Sequence, residues 1–465
     1  MSKYLRIRSG AENVNTEDYL AASLEIYDWI EKNSVRGNAG KYYRVNPGGP
    51  SDYSSKPVHG IYGMYSGSAG TGFLLLRLYE VTQEEKYLRE AVEVMDELMA
   101  NVRGKDFYEE KLATALNSDL KVAGWHTGVY SGPSGAGILA MELYKFRPDR
   151  RYLSFAEKAG EDILSVSRKT ADGYTLTGDL DEFSDGGFVL YFISLYRLTG
   201  NEAYLADARA FAGYIYSKRQ EDGQGGEFYY ANVLDRVGMP KGSIYPGFSH
   251  GTAGIGYLFA VLYEADRQKW ELEAAENVAQ FLYHIADDVG DSRLTPYIYG
   301  GEHSEAYQGK HYLGFCHGPV GISLLYLKLY ELTKKSAYFD FVLTLTRGLI
   351  NSGAPEYNSW GLWNSYCMCC GVPGMIEHFV RLYEITGEQK YYEYARRSAA
   401  RTIADSSETD GGRTFFGYWD RTDPRDVQAY TGLYSGAAGD AVSLLRMYAC
   451  DKGIRLTPTW EYSYL

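Results

Sequence analysis

The sequence predicts an all-α fold, a double ring of inner and outer helices, and three observations carry that prediction. A short phrase, a tight Gly-x-x-Gly turn running into an apolar helix, recurs seven times, around Gly70, Gly135, Gly187, Gly254, Gly321, Gly374 and Gly439. A tyrosine stands nine residues after the second glycine of every copy: Tyr79, Tyr144, Tyr196, Tyr263, Tyr330, Tyr383 and Tyr448. Between the copies lie amphipathic stretches, such as TEDYLAASLEIYDWIEKN and EEKYLREAVEVMDELMANV. Apolar residues recur in these at three- and four-residue spacing, the signature of a half-exposed helix.

Each copy therefore reads as a helical hairpin. The helix that leaves the glycine turn is apolar nearly all round, and such a helix is buried. These helices form an inner layer, and the amphipathic ones an outer layer. Successive second glycines are 65, 52, 67, 67, 53 and 65 residues apart, too long for the common short helical repeats. The chain opens on an outer helix and closes on an inner one. The expected architecture is thus an α/α toroid of seven helical hairpins, one domain over residues 1–465. The glycines admit a sharp entry into each inner helix and a close approach of neighbouring turns. All seven turns are then expected at one end of the ring, so that the residues before them converge near its axis. Repeat proteins place their chemistry where such loops meet.

Composition narrows the function. The formal net charge is −13, and an acidic chain lacks the basic patch that nucleic acid demands. There is no apolar run of about 18 residues to span a membrane. The first 20 residues have neither an apolar core nor a cleavage site, so the expected location is the cytoplasm. The 45 tyrosines are read first as a repeated helix position with aromatic loops, and second as the lining of a substrate cleft.

The copies differ just before the turn. Five residues before the second glycine stand Ser249, Cys316 and Cys369 in copies four, five and six, followed by His250, His317 and Cys370. Copies one, two and seven hold Tyr65-Ser66, Tyr130-Ser131 and Tyr434-Ser435 there, a default pair. In a chain without a secretion signal, clustered cysteine points to metal or catalysis before disulfide. Cys316 and Cys369 occupy equivalent positions in adjacent copies, and Cys370 follows directly. Three such thiolates suit one zinc ion with a fourth position open, the mark of a catalytic site. Cys367, out of register, is a competing ligand. Cys450 lies far from any turn and reads as an inert core residue. His250 and His317 share a register beside this cluster, which favours proton transfer; His317 could alternatively replace a cysteine as ligand.

These turns resemble those of the lanthionine synthetase C-like family, the cyclases of lanthipeptide biosynthesis and their relatives. The resemblance covers nearly the whole chain, and the Cys-His-Gly turn at Cys316 and the turn ending in Gly371 are its specific part. It implies an α/α toroid of seven hairpins. It implies zinc held by Cys316 and Cys369, with Cys370 where the family usually has histidine, as in a Cys-Cys-Gly subgroup. It matches His250 to the family's catalytic histidine. It also implies an acidic residue before the third turn, at Asp181, with Asp185 as the alternative; that turn has Ser184 in place of its first glycine. An arginine expected shortly before Cys316 is absent, and the stretch GKHYLGFC offers Lys310 or His311 instead. The implied reaction is addition of a cysteine thiol to dehydroalanine or dehydrobutyrine in a dehydrated precursor peptide, with a separate dehydratase as partner. The rival readings are addition of glutathione or another free thiol, a carbohydrate-active enzyme on the same fold, and a binding module with structural zinc.

Overall fold

A computed structural model describes residues 14–47, 61–117, 127–230, 242–301, 308–357, 366–418 and 427–465. Residues 1–13, part of the 20-residue stretch read as lacking a signal peptide, lie outside them. The chain forms two compact units. The first comprises residues 1–102, 145–148 and 352–463; the second comprises 103–144, 149–351 and 464–465.

The expected inner helices are α2 (Ser68–Thr82), α5 (Gly132–Phe146), α7 (Gly187–Thr199), α9 (Thr252–Asp266), α11 (Pro319–Thr333), α13 (Pro373–Thr386) and α15 (Ala437–Lys452). The outer ones are α1 (Thr16–Lys32), α3 (Glu85–Asn101), α6 (Arg150–Val166), α8 (Glu202–Tyr216), α10 (Lys269–Ile285), α12 (Ser336–Asn351) and α14 (Gln389–Asp405). Burial follows the predicted division. In α2 every residue from Ser68 to Leu78 is buried, whereas α1 buries one face, including Tyr19, Ala22, Ile26 and Ile30.

Within the first unit α15 lies between α13 and α2, and the outer helix α1 packs on α15. Within the second, α9 lies between α7 and α11, and α7, α9 and α11 each pack on the outer helix that follows. The tyrosine register coincides with the ends of the inner helices. The carbonyls of Tyr79, Tyr196, Tyr263, Tyr330 and Tyr383 accept the N–H of a cap residue in left-handed conformation, at 2.7–2.9 Å. That bond satisfies an otherwise orphaned carbonyl and turns the chain into the next outer helix.

Three features were not anticipated. A further helix, α4 (Gly104–Asn117), packs on α6. Two-stranded antiparallel hairpins follow α1, α6, α8, α10 and α14 directly. The inner helices also carry buried charge seven residues after the second glycine, each paired within its unit. Arg77 meets Glu80 at 2.7 Å, Lys328 meets Glu264 at 2.8 Å, and Arg446 meets Glu377 at 2.7 Å. A buried cation persists only with such a partner. No helix among the described residues is long and apolar enough to cross a membrane.

Candidate metal and proton-transfer site

The turns are tied by a main-chain ladder that follows the sequence register. The N–H of Ser249 donates to the carbonyl of Cys316 at 2.9 Å, that of Cys369 to Tyr434 at 3.2 Å, and that of Tyr434 to Tyr65 at 3.0 Å. All of these residues stand five before a second glycine. The glycines make this packing possible. A Cβ on Gly254 would lie 2.1 Å from the Phe248 carbonyl oxygen, and one on Gly321 2.0 Å from that of Phe315.

The third turn is one residue shorter. Its donor to the Ser249 carbonyl is Phe183, four residues before Gly187, and a Cβ on Gly187 would meet the carbonyl of Glu182 rather than of a residue one earlier. Losing the first glycine to Ser184 therefore shifts the acidic run DEFSD by one place relative to the other copies.

Cys316, Cys369 and Cys370 are 3%, 4% and 8% exposed, and their sulfurs all lie within 4.8 Å of one another. Three sulfurs with no oxygen donor among them match the preference of a borderline-soft ion such as zinc. Cys367 is buried beside them, but its sulfur accepts the Cys370 N–H at 3.3 Å and its carbonyl accepts the Gly371 N–H at 2.9 Å. A hydrogen bond to Cys370, reinforced by burial, pushes the Cys367 thiol pKa well up. Cys450 is partly buried on α15, its thiol pushed up to about 11 chiefly by desolvation.

The second unit brings His250, His317 and Asp181 together. Nδ1 of His250 is 3.8 Å from Oδ2 of Asp181, and the two imidazole rings are 5.5 Å apart. The Asp181 residue is 2% exposed, and neither carboxylate oxygen has a hydrogen-bond partner among the described residues. Phe183 packs against the His250 ring at 5.0 Å. Tyr245, Tyr297 and Tyr312 surround His317 with centroids 5.1–5.3 Å away.

Asp185, the alternative acid, is committed elsewhere. Its carboxylate accepts from the Thr175 hydroxyl at 2.6 Å, the Thr177 hydroxyl at 2.8 Å, and the N–H groups of Leu176, Thr177 and Gly178. Burial raises its pKa, and these bonds oppose the rise. His311 pairs with Asp287 at 2.9 Å, and the Lys310 carbonyl accepts the Tyr297 N–H.

The default turns are not bland. The Tyr130 hydroxyl donates to buried Glu182, and the Tyr434 hydroxyl donates to buried Glu461. The Tyr65 phenol pKa is raised well above its usual value by desolvation, then by the three cysteines of its own unit. The register marked these tyrosines, but their partners are distant in sequence or hidden by the shortened third turn.

Comparison with known proteins accords with this arrangement. Residues 231–453 match the family described as Lanthionine synthetase C-like protein. Among solved structures, nisin cyclase superposes with a TM-score of 0.62 at 14% identity, covering 97% of this chain and 98% of its own. The Lin0763 protein from Listeria innocua gives 0.50 at 12% identity, covering 94% and 99%. No curated protein sequence matches. The fold is the predicted α/α toroid, and the family match spans the cysteine and histidine turns from His250 to Cys370.

Proposed function

We propose that this chain is a zinc-dependent cyclase, acting as one domain over residues 1–465. It would add a peptide cysteine thiol to dehydroalanine or dehydrobutyrine and close a (methyl)lanthionine ring. The observation that carries the reading is the cluster of three buried cysteine sulfurs within 4.8 Å of one another. Cys316, Cys369 and Cys370 would hold one zinc and leave a fourth position for the substrate sulfur. Bound there, the ion would supply the deprotonation of an incoming thiol, which at neutral pH is mostly protonated and a weak nucleophile.

The remaining work falls to side chains. Addition of the sulfur to the β-carbon forms the C–S bond and moves the alkene electrons toward the α-carbon as an enolate. His250 takes up the proton that the incoming thiol gives up and returns it to the α-carbon, which quenches the enolate. Asp181, 3.8 Å from the His250 ring and free of other hydrogen bonds among the described residues, holds the imidazolium charge. His317 stands beside His250 within its tyrosine collar, where it orients the peptide or relays the proton. The substrate is a dehydrated precursor peptide supplied by a separate dehydratase, and the setting is the cytoplasm.

Metal analysis of the purified protein tests the ligand set: about one zinc is expected, lowered in Cys316→Ala and Cys370→Ala but kept in Cys367→Ser. Undiminished zinc in the first two would overturn it. Cyclisation of a dehydrated peptide, followed by loss of alkylatable thiol, tests the reaction. A glutathione adduct on a peptide whose own cysteine stays free would replace ring closure with intermolecular addition.

A further inference from the structure

Within the second unit, the acidic run before the third turn is anchored to the turns on both sides of it. On one side the N–H of Phe183 donates to the Ser249 carbonyl at 3.0 Å. On the other the Tyr130 hydroxyl donates to the Glu182 carboxylate. The second and third turns also pack closely: a Cβ on Gly187 would lie 2.4 Å from Cγ1 of Val129, the residue before Tyr130. Tyr130 and Glu182 are both buried. A carboxylate taken out of water needs hydrogen-bond donors to stay there, so the phenol helps to fix where Glu182 lies.

Tyr130 reaches the same run a second way. Its ring packs on Phe183 with centroids 5.2 Å apart, Phe183 packs on His250 at 5.0 Å, and His250 packs on His317 at 5.5 Å. The four rings come from four successive copies of the repeat. Asp181 lacks such anchorage at its own carboxylate, which has no hydrogen-bond partner among the described residues. Its main chain is held by the turn, its carbonyl accepting the N–H groups of Ser184 and Gly186 at 3.1 and 3.0 Å. The 3.8 Å between Asp181 and the His250 ring therefore depends on where the next two residues, Glu182 and Phe183, are pinned.

We infer that Tyr130 is a positioning residue for the Asp181–His250 pair, holding carboxylate and imidazole at their working separation through its hydrogen bond to Glu182 and its ring contact with Phe183. The inference rests on the reading of His250 as the proton-transfer group. Tyr130 touches neither His250 nor a reacting atom in this scheme; it acts through its two neighbours in the acidic run. A phenylalanine in its place keeps the ring contact and loses the bond, so Glu182 is released to draw residues 181–183 toward another donor. A group displaced by about 1 Å at a reacting centre can lose about 10²-fold in rate, and a smaller shift proportionately less.

The experiment is a double-mutant cycle on the full chain: wild type, Tyr130→Phe, Asp181→Asn and the double variant. Single-turnover cyclisation of a dehydrated peptide, the dissociation constant of that peptide, and the His250 signal in protein carrying 13C-labelled histidine, assigned with His250→Gln, are measured. Tyr130→Phe is expected to slow cyclisation roughly tenfold with unchanged peptide affinity, and to move the His250 signal as the Phe183 ring shifts over it. In the Asp181→Asn background the same change should cost less than about twofold, because residues that act as one unit are not additive. An unmoved His250 signal, a wild-type rate in Tyr130→Phe, or a tenfold loss repeated in full beside Asp181→Asn overturns the inference. A wild type that does not cyclise the peptide, or a His250→Gln variant that does so at the wild-type rate, overturns the proton-transfer reading itself. Should Tyr130→Phe lose its helical circular dichroism, Glu182→Gln, which weakens the same bond, decides by the same cycle.

Discussion

Replacing the second glycine of a turn by alanine separates the metal from the proton-transfer machinery. In Gly321→Ala the new methyl would lie 2.0 Å from the Phe315 carbonyl oxygen and 2.7 Å from the Phe248 Cβ. An ordinary C···O contact is about 3.3 Å or longer, so the turn must yield by roughly 1.3 Å. Phe315 directly precedes Cys316, so the displacement falls on a cysteine of the cluster. Overpacking of this kind costs about 1–3 kcal/mol, and a shift near 1 Å at a reacting group can cost about 10²-fold in rate. Gly254→Ala is the matched perturbation: its methyl would lie 2.1 Å from the Phe248 carbonyl, which precedes Ser249 and His250. Both variants should melt several degrees below wild type. Gly321→Ala should lose zinc along with activity. Gly254→Ala should keep its zinc and still cyclise about 10²-fold more slowly. Thermal melts, zinc per chain and single-turnover cyclisation distinguish the two. Full zinc and rate in Gly321→Ala, or equal zinc loss in both, would refute the assignment of metal to one turn and proton transfer to the other.

Two further perturbations test the acids. Asp181→Asn should leave the melting temperature nearly unchanged, because no hydrogen bond to this carboxylate is present among the described residues, yet slow cyclisation by about 10²-fold or more. Asp185→Asn should do the reverse, since charge-assisted bonds of about 1.5–3 kcal/mol each are lost, and its effect is read in chemical denaturation; a rate loss confined to Asp185→Asn would exchange the two roles. Glu271 on α10 is buried, and desolvation and then its neighbour Asp266 push its pKa up from 4.5 to about 9. The folded chain thus keeps a proton that the unfolded chain releases. This stability is complete below pH 4.5 and is lost as pH rises toward 9, by roughly 1.4 kcal/mol per unit. Glu271→Gln should flatten the decline in stability between about pH 6 and 8, and parallel profiles for the two proteins would show that Glu271 is not its source.

The sequence by itself determined the repeat. Glycines recurring before apolar runs mark where the seven inner helices start, because a backbone that approaches a neighbour this closely cannot carry a Cβ, and tyrosines at one spacing mark where they end. The same count put Cys316, Cys369 and Ser249 at one position, and the ladder joining Ser249 to Cys316 and Cys369 to Tyr434 follows it. The resemblance put Asp181 before Asp185, but nothing in the residues themselves separated the two. Both are buried acids beside the third turn, and only the folded chain spends one on the loop amides and leaves the other facing His250. The one-residue contraction of that turn was equally hidden, since a missing glycine does not say which way the pairing slips. Tertiary structure alone also decided what the default tyrosines do. Tyr434 meets Glu461 across 27 residues, and Tyr130 meets Glu182 across 52. Local periodicity carries no information about partners at such separations, because they are chosen by which buried hydroxyl and carboxylate the packing of the inner helices leaves within reach of each other.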